Sequence, residues 1–501
     1  MKLRIKRSRI LRWIVQILFL GLFITAFVLT RYSVPVTFQN LFFKFDPLIL
    51  LVVSIAYRTV LAAAMLSLLT VAATLFFGRF FCGFICPLGT TIDIFDVFVK
   101  KQKKAAPILR SGKYLILTFL LAAALLGTSF LHFFDPLAIF ERSLTLIFYP
   151  AAMYIAGIFN VGMRAIYTES AIAFLFLFII LGLNFISQRF WCRNVCPLGG
   201  LLALFSKSAV FKFSFAEGCT ECGICEKICP TGAISIEKMS VDSGECIDCL
   251  RCLYECPQHV FEYKISLAPK RLDLSRRQLI GALGAGIIIA PLANSLLHRR
   301  LSGRLIRPPG SIPEADFLDI CIHCGKCMKV CPTNGLQPCI LEAGVNGLWT
   351  PRLAARIGGC EKNCNMCGQV CPTSAIRNLP LEEKTYAKMG TAVIDRARCI
   401  AWEQDRVCLI CDEACPFAAI SSLNETVRGT TLLRPFMDER ICTGCGLCEA
   451  RCPIEERAAI EVYSIGEERK RRGSYITEEK IRLRACEEKD EDIPSGFIID
   501  N

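Results

Sequence analysis

The chain has 501 residues, 53% of them hydrophobic, a formal net charge of +13 and 30 cysteines. That length exceeds one ordinary domain, and the apolar share puts part of the chain in lipid. The cysteines carry metal-ligand spacing, which excludes a small disulfide-stapled secreted domain, and the basic charge sits beside apolar runs, so it reads as membrane topology rather than a nucleic-acid surface.

Met1–Trp13 holds Lys2, Arg4, Lys6, Arg7, Arg9 and Arg12, and an apolar run from Ile14 to Leu29 follows. No small-residue cleavage site comes next, so this reads as a first membrane helix rather than a signal peptide. Further apolar runs near 59–78, 114–133 and 170–187 approach the ~20 residues that cross ~30 Å of hydrocarbon. The basic N-terminus, the loop Lys100–Lys113 and the region after Arg189 should face the cytoplasm, and the loops 31–58 and 134–167 the other side.

This half is duplicated. "RFFCGFICPLG" (Arg79–Gly89) returns as "RFWCRNVCPLG" (Arg189–Gly199), and "FDPL" occurs at Phe45–Leu48 and Phe134–Leu137. Each unit of two helices starts inside, so the units are parallel repeats about an axis along the membrane normal. Asp followed by Pro is a good helix start. Asp46 and Asp135 are also candidate proton acceptors near the outer surface, as a quinol-oxidising site requires. Cys82 and Cys86 are four apart, as are Cys192 and Cys196, which puts each pair on one helical face. Three readings stand for them: small apolar packing in a helix-ending turn, a shared metal or cluster site, or a redox dithiol or copper site.

Next come two ferredoxin runs, Cys219, Cys222, Cys225, Cys229 and Cys246, Cys249, Cys252, Cys256, each C-x2-C-x2-C-x3-C-P. Three close cysteines hold one cubane and the fourth ligates the other. Cys256 therefore belongs with Cys219, Cys222 and Cys225, and Cys229 with Cys246, Cys249 and Cys252. The domain follows helix four and should be cytoplasmic. Ser275-Arg276-Arg277-Gln278-Leu279 then resembles a twin-arginine export signal before a mildly apolar run to Leu297. Paired arginines before a membrane helix are also ordinary inside charge.

Four more runs follow: Cys321, Cys324, Cys327, Cys331; Cys360, Cys364, Cys367, Cys371; Cys399, Cys408, Cys411, Cys415; and Cys442, Cys445, Cys448, Cys452. Six [4Fe–4S] clusters are expected in all. By analogy with such arrays, Cys452 should join the first of the four and Cys415 the second. Cys339 and Cys486 remain as free thiols. The histidines are His132, His259, His298 and His323, with no C-x-x-C-H, so haem is not expected.

Residues up to ~265 resemble NapH, MauN and the C-terminal half of NosR, through the paired C-x3-C-P-L-G motifs and the two-cluster ferredoxin. From ~270 the chain resembles NapG and MauM, through the twin-arginine stretch and "RPPGSIPEADFLDICIHCGKCMKVCP". The resemblance implies a fusion of two subunits that act as a quinol dehydrogenase, feeding electrons to a periplasmic partner such as a nitrate reductase system. The expected fold is an α-helical membrane domain of four helices (1–214) and a two-cluster ferredoxin domain (215–264). A linker with a further membrane helix (265–306), a four-cluster α+β ferredoxin-like domain outside (307–466) and a charged tail (467–501) complete it. Expected partners are membrane lipid and quinone, an extracytoplasmic reductase or cytochrome, and a cytoplasmic ferredoxin as a further donor, with no nucleic acid. The rival reading is a copper reductase or maturation accessory. One difficulty attends the first reading: the two cluster groups would stand ~30 Å of hydrocarbon apart.

Overall fold

The computed structural model describes residues 2–30, 36–59, 65–99, 110–158, 167, 170–258, 260–265, 276–298, 303–427 and 430–482. His259, Ser275, Cys486 and the basic stretch 100–109 lie outside the described residues. Two compact units emerge. The first takes in Met1–Arg164, Glu169–Leu296 and, from later sequence, Leu318–Cys324; the second holds Ala165–Thr168, Leu297–Phe317 and Gly325–Asn501.

In the first unit, the helix Lys2–Leu29 contains Ile10–Leu29, the one helix among the described residues long and apolar enough to cross a membrane. The other apolar runs form shorter helices than expected. Ser67–Phe77 has 11 residues, about 16 Å at 1.5 Å rise; Gly112–Leu125 has 14; and Ser170–Gly182 has 13 before a 3-10 turn. The segments read as loops are not bare. Pro47–Tyr57 is a mostly buried apolar helix, and Pro136–Ser143 continues through a π turn into Tyr149–Ile158. Both FDPL helices begin as the sequence suggests. Asp46 Oδ1 accepts from the amides of Leu48 and Ile49, Asp135 Oδ1 from Ala138, and proline fills the first helical turn.

The helix Arg276–His298 packs on Gly112–Leu125. A Cβ on Gly286 would stand 2.8 Å from the Phe119 carbonyl, so only glycine allows that approach. The ferredoxin lobe of this unit has Phe211–Phe215 paired antiparallel with Phe261–Ile265, a short pair 234–235 with 240–241, and a core of Phe213, Ile234, Val241 and Phe261 beside the cysteines.

The second unit is an α+β assembly of short helices after each cysteine run. Its strand pairs are Leu336–Pro338 with Pro351–Leu353, Thr391–Ile394 with Ile460–Tyr463, and the hairpin Ile420–Val427 with Thr430–Met437. Buried Arg307 ties its start together, donating to Thr350 Oγ1, the Pro351 carbonyl and Glu314. Cys339, expected to be a free thiol, is fully buried against Leu305 and Ala343.

Candidate functional site

The ferredoxin cysteines converge in sets. Cys229, Cys246, Cys249 and Cys252 line one small cavity, while Cys225 lies within electrostatic reach of Cys219, Cys222 and Cys256. In the second unit Cys399, Cys408, Cys411 and Cys452 line another. Cys415 stands with Cys442, Cys445 and Cys448, and Cys331 with Cys360, Cys364 and Cys367. The expected exchange of ligands between outer runs and between inner runs is therefore wrong. Cys452 joins the third run, not the first, and Cys415 the fourth, not the second. Strand pairing is the reason. The pair Thr391–Ile394 with Ile460–Tyr463 flanks runs three and four and folds the end of one beside the start of the other. The antiparallel bridge between Ser311 and Ile376 flanks runs one and two in the same way.

A feature absent from the sequence reading accompanies these sets. Fourth cysteines accept backbone N–H groups, from Ala233 at 3.2 Å to Cys229, Ile376 at 3.5 Å to Cys371, Ala419 at 3.3 Å to Cys415 and Ala459 at 3.3 Å to Cys452. Such bonds favour the thiolate and raise a cluster's potential. Burial pushes Cys360 up to about 11 and Cys411 and Cys445 to about 12, so metal binding is what would deprotonate them.

The two membrane-half motifs also meet, though not as single helical faces. Phe81–Ile85 and Trp191–Val195 are π turns, closed by Cys86 N–H to the Phe81 carbonyl at 3.0 Å and Cys196 N–H to the Trp191 carbonyl at 2.9 Å. Cys86 and Cys196 are extended (ψ 117° and 110°) because each precedes proline. Each pair thus straddles a turn. All four thiols are buried. Burial first, then neighbouring thiols including Cys82, raises Cys86 and Cys196 well above the usual thiol range, and burial raises Cys192 to about 11.

The arginine that opens each motif crosses to the other repeat. Arg189 donates to the Cys82 carbonyl at 2.8 Å, to the Gly89 carbonyl at 3.3 Å and to both oxygens of Asp93 at 2.8 Å. Arg79 Nη2 lies 2.8 Å from where a Gly199 Cβ would be. Asp93 also receives Arg12, and Gln16 donates to Asp93 and the Gly83 carbonyl. Burial alone would raise the Asp93 carboxyl, but Arg189 and Arg12 outweigh it and hold it well below the usual range. Gln16, Asp93 and Glu245 did not stand out in sequence, and Arg12 did only as one of the basic residues at the N-terminus; Arg79 and Arg189 did, as part of the repeat. The ferredoxin lobe is seated directly on this core. A Cβ on Gly83 would meet the Ile247 carbonyl at 2.1 Å, and Lys113 binds Glu245 at 2.7 Å.

The FDPL aspartates form a second site. The two buried carboxyls lie against one another. Their Oδ1 atoms cap helices, and Oδ2 of each has no protein donor, an arrangement that a proton shared between them would satisfy. The pair sits within the helical bundle, not on exposed outer loops. Along Lys2–Leu29, Gln16 marks the level of Gly83, while Phe23 contacts Phe42 and Phe140 beside the pair. Those seven residues span about 10 Å. Phe45 also lines an apolar cavity of about 270 Å³ with Phe19, Leu22, Phe42, Phe81 and Ile85. Three residues before Asp135, His132 stacks on His323 with ring centroids 3.9 Å apart. His323 lies between Cys321 and Cys324. Arg142 donates to the His132 carbonyl at 3.0 Å and is within electrostatic reach of Cys324.

Residues 59–105 and 170–216 match a family described as "4Fe-4S binding domain", one Cys-x-x-x-Cys pair in each segment. Residues 218–260 and 245–336 match two families described as "4Fe-4S dicluster domain". The chain is 36% identical over 198 residues to the methylamine utilization ferredoxin-type protein MauM of Methylorubrum extorquens, covering 38% of this chain and 88% of that one. It is 34% identical over 165 residues to the ferredoxin-type protein NapG of Escherichia coli, covering 32% and 71%. With MauM of Paracoccus denitrificans identity is 34% over 209 residues, covering 40% and 88%.

Proposed function

The chain belongs to the family of ferredoxin-type proteins that includes MauM and NapG, and from that premise we propose that it oxidises membrane quinol and delivers the electrons to an extracytoplasmic partner. It is an iron–sulfur electron-transfer protein with multiple [4Fe–4S] clusters; our reading assigns six to its ferredoxin runs. One observation carries the quinol reading. The repeated aspartates meet as a buried acid pair, and the His132–His323 stack joins their loop to the run that begins at Cys321. Quinol oxidation releases two protons and two electrons. A proton acceptor and an electron acceptor at one place are what it needs.

Iron–sulfur clusters, when bound, supply one-electron acceptance. The chain's own residues do the rest. The Asp46–Asp135 pair, holding one proton between its two carboxyls, has room for one more, so it would accept the two hydroxyl protons one at a time, passing the first on before the second arrives. His132 and Arg142 hold the loop before Asp135 against the Cys321–Cys324 segment. The apolar cavity beside Phe45 suits the isoprenoid tail. Copper reduction needs an accessible thiol pair, and Cys82, Cys86, Cys192 and Cys196 are only 8%, 7%, 9% and 5% exposed. The acceptor is an extracytoplasmic reductase or cytochrome, a nitrate reductase system being one destination, and a cytoplasmic ferredoxin could exchange electrons with Cys219–Cys256.

Anaerobically purified full-length protein in lipid should lose its visible cluster absorption when a menaquinol analogue is added. Absorption unchanged by quinol yet bleached by dithionite would overturn the reading. The topology is tested separately. We expect a phosphatase fused after Arg307 to be active, as is one in the 134–167 loop, and Arg276→Lys with Arg277→Lys to abolish the first activity. An inactive fusion after Arg307 beside an active control would put the four-cluster unit inside, and unchanged export in the lysine variant would leave the arginines as ordinary inside charge.

A further inference from the structure

We propose that a second quinone site lies at the end of the membrane half that carries the basic N-terminus, against the two-cluster ferredoxin lobe, and that quinone is reduced there. It rests on the quinol reading only in taking membrane quinone as a substrate. A cavity of about 480 Å³ opens at this place, within the usual range of small-molecule sites, about 300–1,000 Å³. Its wall draws on the helix Lys2–Leu29, the end of the helix Pro87–Asp96, the residue before Arg189 and both ferredoxin runs. It is not the aspartate site. Arg12 lines it, whereas Phe23 lies beside the aspartates, and eleven residues of one helix separate the two, about 16 Å.

Four observations converge on a quinone. First, the wall includes Cys249, which stands with Cys229, Cys246 and Cys252, and Arg12 and Arg251 lie within electrostatic reach of it. A molecule in the cavity is therefore one residue away from a cluster site, close enough for direct electron exchange. Second, the lining charges balance. Arg12, Lys227 and Arg251 are matched by Asp93, Asp96 and Glu255. A phosphate or a nucleotide would find no surplus of positive charge, whereas a neutral polar ring needs none. Third, a donor awaits an acceptor. Arg12 is 4% exposed and gives Nη2 to Asp93, but its Nε has no protein partner. Orphaned buried donors are costly, and a quinone carbonyl is an acceptor of the right kind. Fourth, the cavity borders lipid. Trp13 lies in the first turn of the apolar stretch Ile10–Leu29, with Leu11 and Ile14 exposed on either side of it. Tryptophan is typical of the membrane–water interface. Val97 in the wall and Phe98 after it are exposed too, so an isoprenoid tail has an apolar path out.

The step balances as follows. Quinone takes two electrons and two protons, and both carbonyl oxygens become hydroxyls. Iron–sulfur clusters, when bound, pass the electrons one at a time, and a reduced ferredoxin-type carrier in the cytoplasm supplies them. Arg12 and Gln188 hold the ring. The protons come from water on the same side, with Asp96 in the wall to hand them on. The quinol then leaves into lipid, where it is a substrate for the aspartate pair. The ferredoxin lobe thus feeds the quinone pool, and the aspartate pair draws on it.

The test uses anaerobically purified full-length protein in lipid and a menaquinone analogue that carries a photoreactive diazirine. Light should attach the analogue to peptides containing Trp13, Val97 or Tyr254, and excess plain menaquinone should prevent it. Val97→Trp fills the cavity from an exposed position and should abolish this labelling at unchanged iron content. In an Asp46→Asn background, which silences the aspartate site, reduced methyl viologen should still reduce menaquinone, and adding Val97→Trp should stop it. If Val97→Trp does not accumulate, Lys227→Trp, also exposed, blocks the cavity from the ferredoxin side. No label in these peptides overturns the proposal, as does quinone reduction that both tryptophan variants leave unchanged. Label confined to peptides around Phe45 would sink the second site alone. Label at Trp13 or Tyr254 in protein whose clusters quinol does not bleach would sink the quinol-oxidation reading alone.

Discussion

Asp46→Asn and Asp135→Asn are each expected to slow quinol-driven cluster reduction by about 10²–10⁴-fold, the range for losing a positioned proton acceptor. Asparagine keeps the shape and can still accept the amide protons of Leu48, Ile49 and Ala138, so both helix starts survive. It cannot take a proton. Because the two carboxyls form one buried pair, they should act as a unit, and the double variant should be scarcely slower than either single one. Reduction by dithionite, which bypasses the proton step, should not change. Iron content checks that the fold is intact. Quinol oxidation at the normal rate in both single variants would leave Asp46 and Asp135 as helix caps only.

What sequence could show here follows from how local each signal is. The ferredoxin runs are legible because three of a cubane's four ligands come from one short, regularly spaced stretch of chain. The FDPL caps are legible for the same reason: Asp then Pro acts within one turn. The repeat even contained Arg79 and Arg189. Their crossing was not legible, because it depends on how two units 110 positions apart pack. Asp93 lies seven residues past Cys86 in an ordinary-looking helix, and only the fold turns it toward Arg12 and Arg189. The ligand exchange among the last four runs failed as an analogy, because strand pairs such as Thr391–Ile394 with Ile460–Tyr463 decide it. The π turns escaped too. A four-residue spacing reads as one α-helical face until proline, after Cys86 and Cys196, forces the preceding residue out of the helix.

The largest stability effect should come from Asp93. Its carboxylate is fully buried, bonded twice by Arg189 and once by Arg12, with Arg251 at 3.8 Å. Breaking a buried ion pair by removing one partner costs about 3–5 kcal/mol, because the remaining charge is left uncompensated. Asp93→Asn leaves two guanidiniums so, and Arg189 is also the group that reaches the Cys82 carbonyl. We expect a markedly lower unfolding midpoint in detergent and weaker seating of Gly83 against Ile247. The pH dependence gives a second signature. Since Arg189 and Arg12 hold the folded carboxyl well below its unfolded value, its contribution is fully present above about pH 4 and is lost as pH falls below that. The unaltered protein should therefore lose stability on acidification through that window, and Asp93→Asn should lose less there while being weaker at neutral pH. A variant as stable as the parent at pH 7, with the same acid profile, would mean that solvent or neighbouring acids neutralise the arginines without Asp93. The helix Lys2–Leu29, the two cysteine turns and the ferredoxin lobe would then be held together by packing and by the bonds that bypass Asp93, such as Gln16 to the Gly83 carbonyl and Lys113 to Glu245.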